Sequence, residues 1–153
     1  MFPEKHLEML SMPFEWDTVQ IPLNIMDAHY NSFQKKVLPV LQERNIGVLG
    51  MKSLAGQNAR IPRDLNLSVE LCRRYAMSLP VSTVICGMQT REELHGMIDI
   101  AKDFKPLTED QINHLLDISR APAQDGHIEA YKDPHGGFGC SYHSRVLREE
   151  GKL

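Results

Sequence analysis

The sequence predicts an α/β fold in which three parallel strands are joined by helical crossovers. Three short apolar runs at 17–23, 46–52 and 81–87 carry the prediction, with starts 29 and 35 residues apart and a helical pattern in each gap. Strand–helix alternation at that pitch implies parallel strands with right-handed connections. The second and third runs are nearly continuous in apolar residues, as expected of strands buried on both faces.

The elements follow in order. A short helix with Leu7 and Leu10 facing inward precedes the first strand. Phe33, Val37, Leu38 and Leu41 repeat at helical steps, and Pro39 within that run is expected to kink it. Leu67, Leu71, Tyr75 and Leu79 repeat every four residues, and Leu94, Met97, Ile98 and Ala101 form a further apolar face. Thr90 with Glu93 reads as a capping box, as does Thr108 with Gln111 ahead of Ile112, Leu115 and Leu116. Most of the eight methionines fall at core-facing positions and read as packing. Residues 122–153 lose periodicity, with a turn-rich stretch at 133–139, and read as an irregular surface tail behind a folded unit of residues 1–121. An open three-stranded parallel sheet leaves two edges, so the pattern fits either a small α/β sandwich or an arc of a barrel.

Composition narrows the function classes. The chain has 153 residues, one domain's worth, with 42% hydrophobic and 24% charged residues, as in a soluble globular protein. A net charge of −3 gives no basic excess for nucleic acid. No apolar run reaches the roughly 18 residues of a membrane span, and residues 1–6 lack the start of a signal peptide. Cys72, Cys86 and Cys140 are too few and too scattered for a disulfide framework. The expectation is a cytoplasmic protein.

In parallel α/β folds ligands bind beyond the carboxyl ends of the strands. Those ends offer Gln20, whose amide needs a partner, met either by a ligand amide or by a neighbouring loop. They also offer Lys52 to Gly56, where a cation, a hydroxyl and a glycine suit a phosphate or serve as an ordinary loop. Gly87 to Thr90 leads into a helix whose N-terminus can hold an anion, or whose Thr90 is only a cap. There is no GxGxxG and no GxxxxGK[ST]. His29 and Tyr30 could form an acid–base pair or a plain loop-to-helix junction. His135, Cys140 and His143 could hold a soft metal, against a tail that merely contains His and Cys. Cys86, inside an apolar strand, reads as a core residue.

At these strand ends the sequence resembles the aldo/keto reductases, in particular a bacterial oxidoreductase branch. Residues 16–29 look like the sixth strand and its loop. Residues 37–39 and 46–54 look like the sixth helix and seventh strand, and residues 74–88 like the seventh helix and eighth strand. Phe104 to Thr108 matches the segment before the terminal helix. The likeness spans about residues 3–120 in order. It implies the C-terminal part of a (β/α)8 TIM barrel, with three parallel strands, outer helices and a terminal helix. It implies NADP(H) or NAD(H) as cofactor and hydride exchange with an aldehyde or ketone.

The resemblance assigns Gln20 to the nicotinamide amide. It assigns the loop of Met51, Lys52, Ser53, Leu54 and Gly56 to the diphosphate, and Gly87, Met88 and Gln89 to the adenosine end. Many members carry Glu-Asn on the last helix for adenine, where this chain has Gly96 and Met97, so those contacts and the cofactor choice are not carried over. The family's catalytic Asp, Tyr, Lys and His belong to earlier strands, and no motif here matches them. No catalytic residue is therefore assigned. The isolated chain is expected to be inactive, with self-association through exposed barrel edges, and the alternative is a non-catalytic nucleotide- or partner-binding remnant.

Overall fold

The computed structural model describes residues 2–56 and 59–132. Three strands, β1 (Thr18–Pro22), β2 (Gly47–Met51) and β3 (Thr83–Val84), form one parallel sheet in the order β1-β2-β3. Val19 pairs with Val48 and Leu49 with Thr83. The parallel order matches the alternation in the sequence. The third strand is shorter than the apolar run, since only Thr83 and Val84 find ladder partners on β2.

Burial alternates along the strands, so one face is covered and the other open. Val19, Ile21 and Val48 are buried, while Thr18, Gln20 and Thr83 are exposed and Leu49 and Met51 half-buried. The expectation of strands covered on both faces fails here, and the reason is that the first apolar cluster, with Leu10, Phe33, Val37 and Leu41, lies against the face of Val19, Ile21 and Val48. Helix α1 (Pro3–Leu10) contributes Leu10 and Leu7 to that core. Helices α2 (Phe33–Lys36) and α3 (Leu38–Glu43) contribute Phe33, Val37, Leu38 and Leu41. The break at Val37 is the kink expected from Pro39, whose ring cannot donate to the preceding turn.

A second apolar cluster sits past the carboxyl ends of the strands. Ile25, Met26, Ala55, Ile61, Cys72, Tyr75 and Leu115 form it, joined by Ala123 and Ile128. Helix α4 (Arg60–Leu65) buries Ile61 and lacks a clear periodic signature in sequence. Helix α5 (Val69–Ser78) starts where the Ser68 side chain accepts the Leu71 N–H. Helix α7 (Glu109–Arg120) begins with the expected Thr108–Gln111 capping box.

Helix α6 (Arg91–Lys102) departs from expectation. None of its residues is buried, Leu94 and Ile98 are exposed, and only Met97 and Ile100 are partly covered, because α6 meets little beyond α5. Its cap also differs. Thr90 Oγ1 accepts the Glu93 N–H, but the Glu93 carboxylate reaches one residue further back, to the Gln89 N–H at 2.6 Å. Met26 is fully buried, whereas Met12 and Met88 are exposed, so not every methionine is packing.

The start of the expected surface tail is instead packed into the fold. Residues 127–132 form 3-10 turns in which Ile128, Glu129 and Lys132 are buried. Polar contacts to the β1 loop hold them inside, which apolar periodicity could not reveal. His135, Cys140 and His143 lie outside the described residues. Among the described residues no helix is long and apolar enough to cross a membrane.

Candidate functional site

The loop after β1 is built around two buried polar side chains. Asn24 Oδ1 accepts the N–H groups of Met26 and Asp27, closing a tight turn. The Asp27 carboxylate then accepts the N–H groups of Phe33 (3.0 Å) and Gln34 (2.8 Å), which starts α2. Lys132 Nζ donates to Asp27 Oδ1 at 2.6 Å and to the Tyr30 carbonyl at 2.7 Å, and lies 2.8 Å from Glu129 Oε2. Lys132 and Asp27 side chains are wholly inaccessible to solvent. Asn24 Nδ2 and the Tyr131 hydroxyl both donate to Glu129 Oε1. Burial pushes the Asp27 carboxyl up to about 6, against the pull of Lys132, with Glu129 adding to the rise.

His29 and Tyr30 belong to this scaffold. Ser119 Oγ donates to the Ile25 and Leu116 carbonyls and lies 3.0 Å from His29 Nε2. Its one hydrogen serves one carbonyl at a time, and which of His29 and Ser119 donates to the other follows the imidazole tautomer. Burial, with Arg120 and Lys35 nearby, lowers the His29 pKa. Tyr30 lends its carbonyl to Lys132 and its ring to the Gly126 turn. The two residues form junctions to α7 and to residues 126–132, with no hydrogen bond between them among the described contacts.

The loop after β2 turns through left-handed backbone at Lys52 (φ 59°), Ala55 (φ 63°) and Gly56 (φ 88°). The Lys52 carbonyl accepts from Asn24 Nδ2, its ammonium stands 5.7 Å from the Tyr131 ring centroid, and Ser53 is buried. Gln20 and Met51 meet on the open sheet face, with Gln20 Nε2 3.0 Å from Met51 Sδ. Gln20 is exposed rather than enclosed in a buried strand.

Leu54, Gly56, Gly87, Met88 and Gln89 line one cleft of about 1020 Å³, bounded by α5 and α6. The structure therefore brings five of the assigned residues together, while Gln20, Met51, Lys52 and Ser53 do not line that cleft. Neither cysteine in the described residues is an activated nucleophile. Burial pushes the Cys72 thiol up to about 12 and raises that of Cys86. Among the described residues no group of three or more His, Cys, Asp or Glu could hold a metal.

Sequence reasoning missed Arg73, which lines the cleft and is 5% exposed. Its Nη2 donates to the Gly87 carbonyl at 3.3 Å and its Nη1 lies 3.0 Å from Met97 Sδ, while its buried Nε has no partner. It flanks the buried Cys72, Tyr75 and Ala76 stripe of α5, and an arginine beside such a stripe was the available signal. The Asp27, Glu129 and Lys132 cluster was missed too, although Glu129 and Lys132 stand three apart beside Ile128. Comparison of the chain with family models, with curated proteins and with solved structures returned no match.

Proposed function

We propose that this chain is the cofactor-holding C-terminal part of an aldo/keto reductase barrel, an NAD(P)H-dependent oxidoreductase acting on aldehydes or ketones. The observation that carries the reading is one cleft beyond β2 and β3, lined by Leu54 and Gly56 of one strand-end loop and by Gly87, Met88 and Gln89 of the other. The sheet supports it as well. One face is covered by helices, and the other, carrying Gln20, Leu49 and Met51, is open, as the inner lining of a barrel arc would be without its remaining strands.

The residues present suit a dinucleotide. A buried arginine with an orphaned N–H borders the cleft, and a glycine with positive φ lets backbone approach a ligand. A nicotinamide bound across these ends would supply hydride to a carbonyl carbon. This chain's share of the work is to hold and orient: Gln20 offers an amide to the carboxamide, and the 51–56 loop shapes the diphosphate end. The proton for the carbonyl oxygen has to come from strands this chain does not contain.

The test is NADPH- and NADH-dependent reduction of aldehydes by the purified chain, beside a titration of both dinucleotides. Half a site retains ordering costs while losing contacts, so binding is expected at about millimolar or weaker, with no turnover. Robust turnover abolished by changing His29 or Tyr30 would overturn the reading. Tight dinucleotide binding without turnover would favour the non-catalytic binding module instead.

A further inference from the structure

We propose that the cleft between α5 and α6 takes a nucleotide whose ribose carries no phosphate, NAD(H) rather than NADP(H), with the Arg73 guanidinium as the cation that meets the diphosphate. The inference rests on the dinucleotide reading above and names the member of that class.

Arg73 is the first observation. A guanidinium stays protonated in a protein, and burying it without a counter-ion is costly. No carboxylate lies within ion-pairing distance of Arg73 among the described residues, and its Nε bonds to nothing. The bond to the Gly87 carbonyl sets the group against the end of β3. The planar fork of arginine matches phosphate oxygens in pairs. A phosphate group reaching the accessible edge of the guanidinium would neutralise that charge, while Nε itself stays out of reach of solvent.

The charge around Arg73 is the second observation. Two guanidiniums, Arg73 and Arg74, line the cleft with five carboxylates: Glu70, Glu92, Glu93, Asp99 and Asp103. Arg74 is already paired with Glu70 at 2.7 Å and donates to the Asp103 carbonyl. Arg73 is thus the one cation among the described lining residues that is free to meet an anion. The first turn of α6, where a helix would otherwise attract an anion, carries Glu92 and Glu93. The Glu93 carboxylate already accepts the Gln89 N–H, so that donor is occupied from within the chain. A ribose 2′-phosphate would bring about −1.5 to −2 of charge to this rim. A ribose with free hydroxyls brings donors, which carboxylates accept, as acidic residues do for the 2′-OH in other dinucleotide folds.

The experiment titrates the full chain with ADP-ribose and with its 2′-phosphate by ligand-observed NMR. It uses the wild type, Arg73→Met, and the exposed double variant Glu92→Gln/Glu93→Gln, each checked for an unchanged circular dichroism spectrum. The expected result is roughly tenfold or greater preference for ADP-ribose, narrowing at high salt as screening weakens the rim. The double variant should lose most of the preference, and Arg73→Met should weaken both ligands about equally. Preference for the 2′-phosphate, or a preference untouched in the double variant, would overturn the inference and leave the dinucleotide reading standing. Binding unaffected by a folded Arg73→Met would remove Arg73 from the site. Failure of the wild type to bind either ligand would overturn the dinucleotide reading itself, and this inference with it. If Arg73→Met does not fold, the double variant decides.

Discussion

Replacing Lys132 by methionine tests the buried cluster that fixes the loop after β1. The substitution keeps an unbranched side chain of similar length and removes one charge. In the native chain Lys132 Nζ lies 2.6 Å from Asp27 Oδ1 and 2.8 Å from Glu129 Oε2, with no solvent access to its side chain. Without it, two inaccessible carboxylates face each other with no counter-ion. Breaking a buried pair on one side costs about 3–5 kcal/mol, because the survivor keeps its desolvation penalty. For a chain of this size that corresponds to a fall in Tm of roughly 6–20 °C. Urea unfolding near pH 7 reads the loss directly, provided both proteins unfold with the same slope. The triple variant Asp27→Asn, Glu129→Gln, Lys132→Met should recover much of it, since no buried charge is then left alone. A single variant within about 1 kcal/mol of the wild type would refute the reasoning, and would mean that water reaches the cluster.

Three further outcomes follow from the geometry. Gly126 has φ 71°, and a Cβ there would stand 2.5 Å from the Tyr30 ring, so Gly126→Ala should destabilise by about 1–3 kcal/mol in urea titrations; an unchanged midpoint would show that the ring moves aside freely. The folded Asp27 carboxyl titrates at about 6 against an ordinary 3.8, so the folded state binds its proton more tightly than the unfolded chain does. That contribution is full below about pH 3.8 and lost as pH rises through about 6, on the order of 3 kcal/mol at most; the wild type minus Asp27→Asn difference in urea stability should therefore fall between pH 4 and 7, and a rise would contradict the assignment. Ile85, Met88, Leu94 and Ile98 are exposed near β3 and α6, so the isolated chain should self-associate or bind a hydrophobic dye, and a dye-silent monomer in light scattering would count against an exposed apolar surface there.

The sequence made the sheet legible because Val19, Ile21 and Val48 need only a period and a neighbour to declare themselves. The capping box at Thr108 and the break near Pro39 were legible for the same reason, since each depends on residues within one turn. What could not be read depends on contacts far along the chain. Residues 127–132 carry no period, and their burial comes from Asn24 and Asp27, about a hundred positions earlier. The stripe of Leu94, Met97 and Ile98 on α6 states that a face is apolar, and not whether anything covers it. Of the candidate site, the two strand-end loops were legible from glycine placement. Arg73 was not, because a charged residue on a helix is ordinarily solvated, and only the packing of α5 against α6 put this one out of water.

The latch between Asp27 and Lys132 also has a consequence in time. Its two halves are separated by 105 positions in the chain. A chain made from its N-terminus can pair β1 with β2 early, because that sheet is local by comparison. The loop after β1 stays incomplete until residue 132 has left the ribosome, and until then Asp27 lacks its buried cation. Contacts of such long separation are slow to form, since loop closure precedes any gain. During synthesis the loop that carries His29 and Tyr30 is thus the last part of the early structure to set, because its buried cation follows the end of α7.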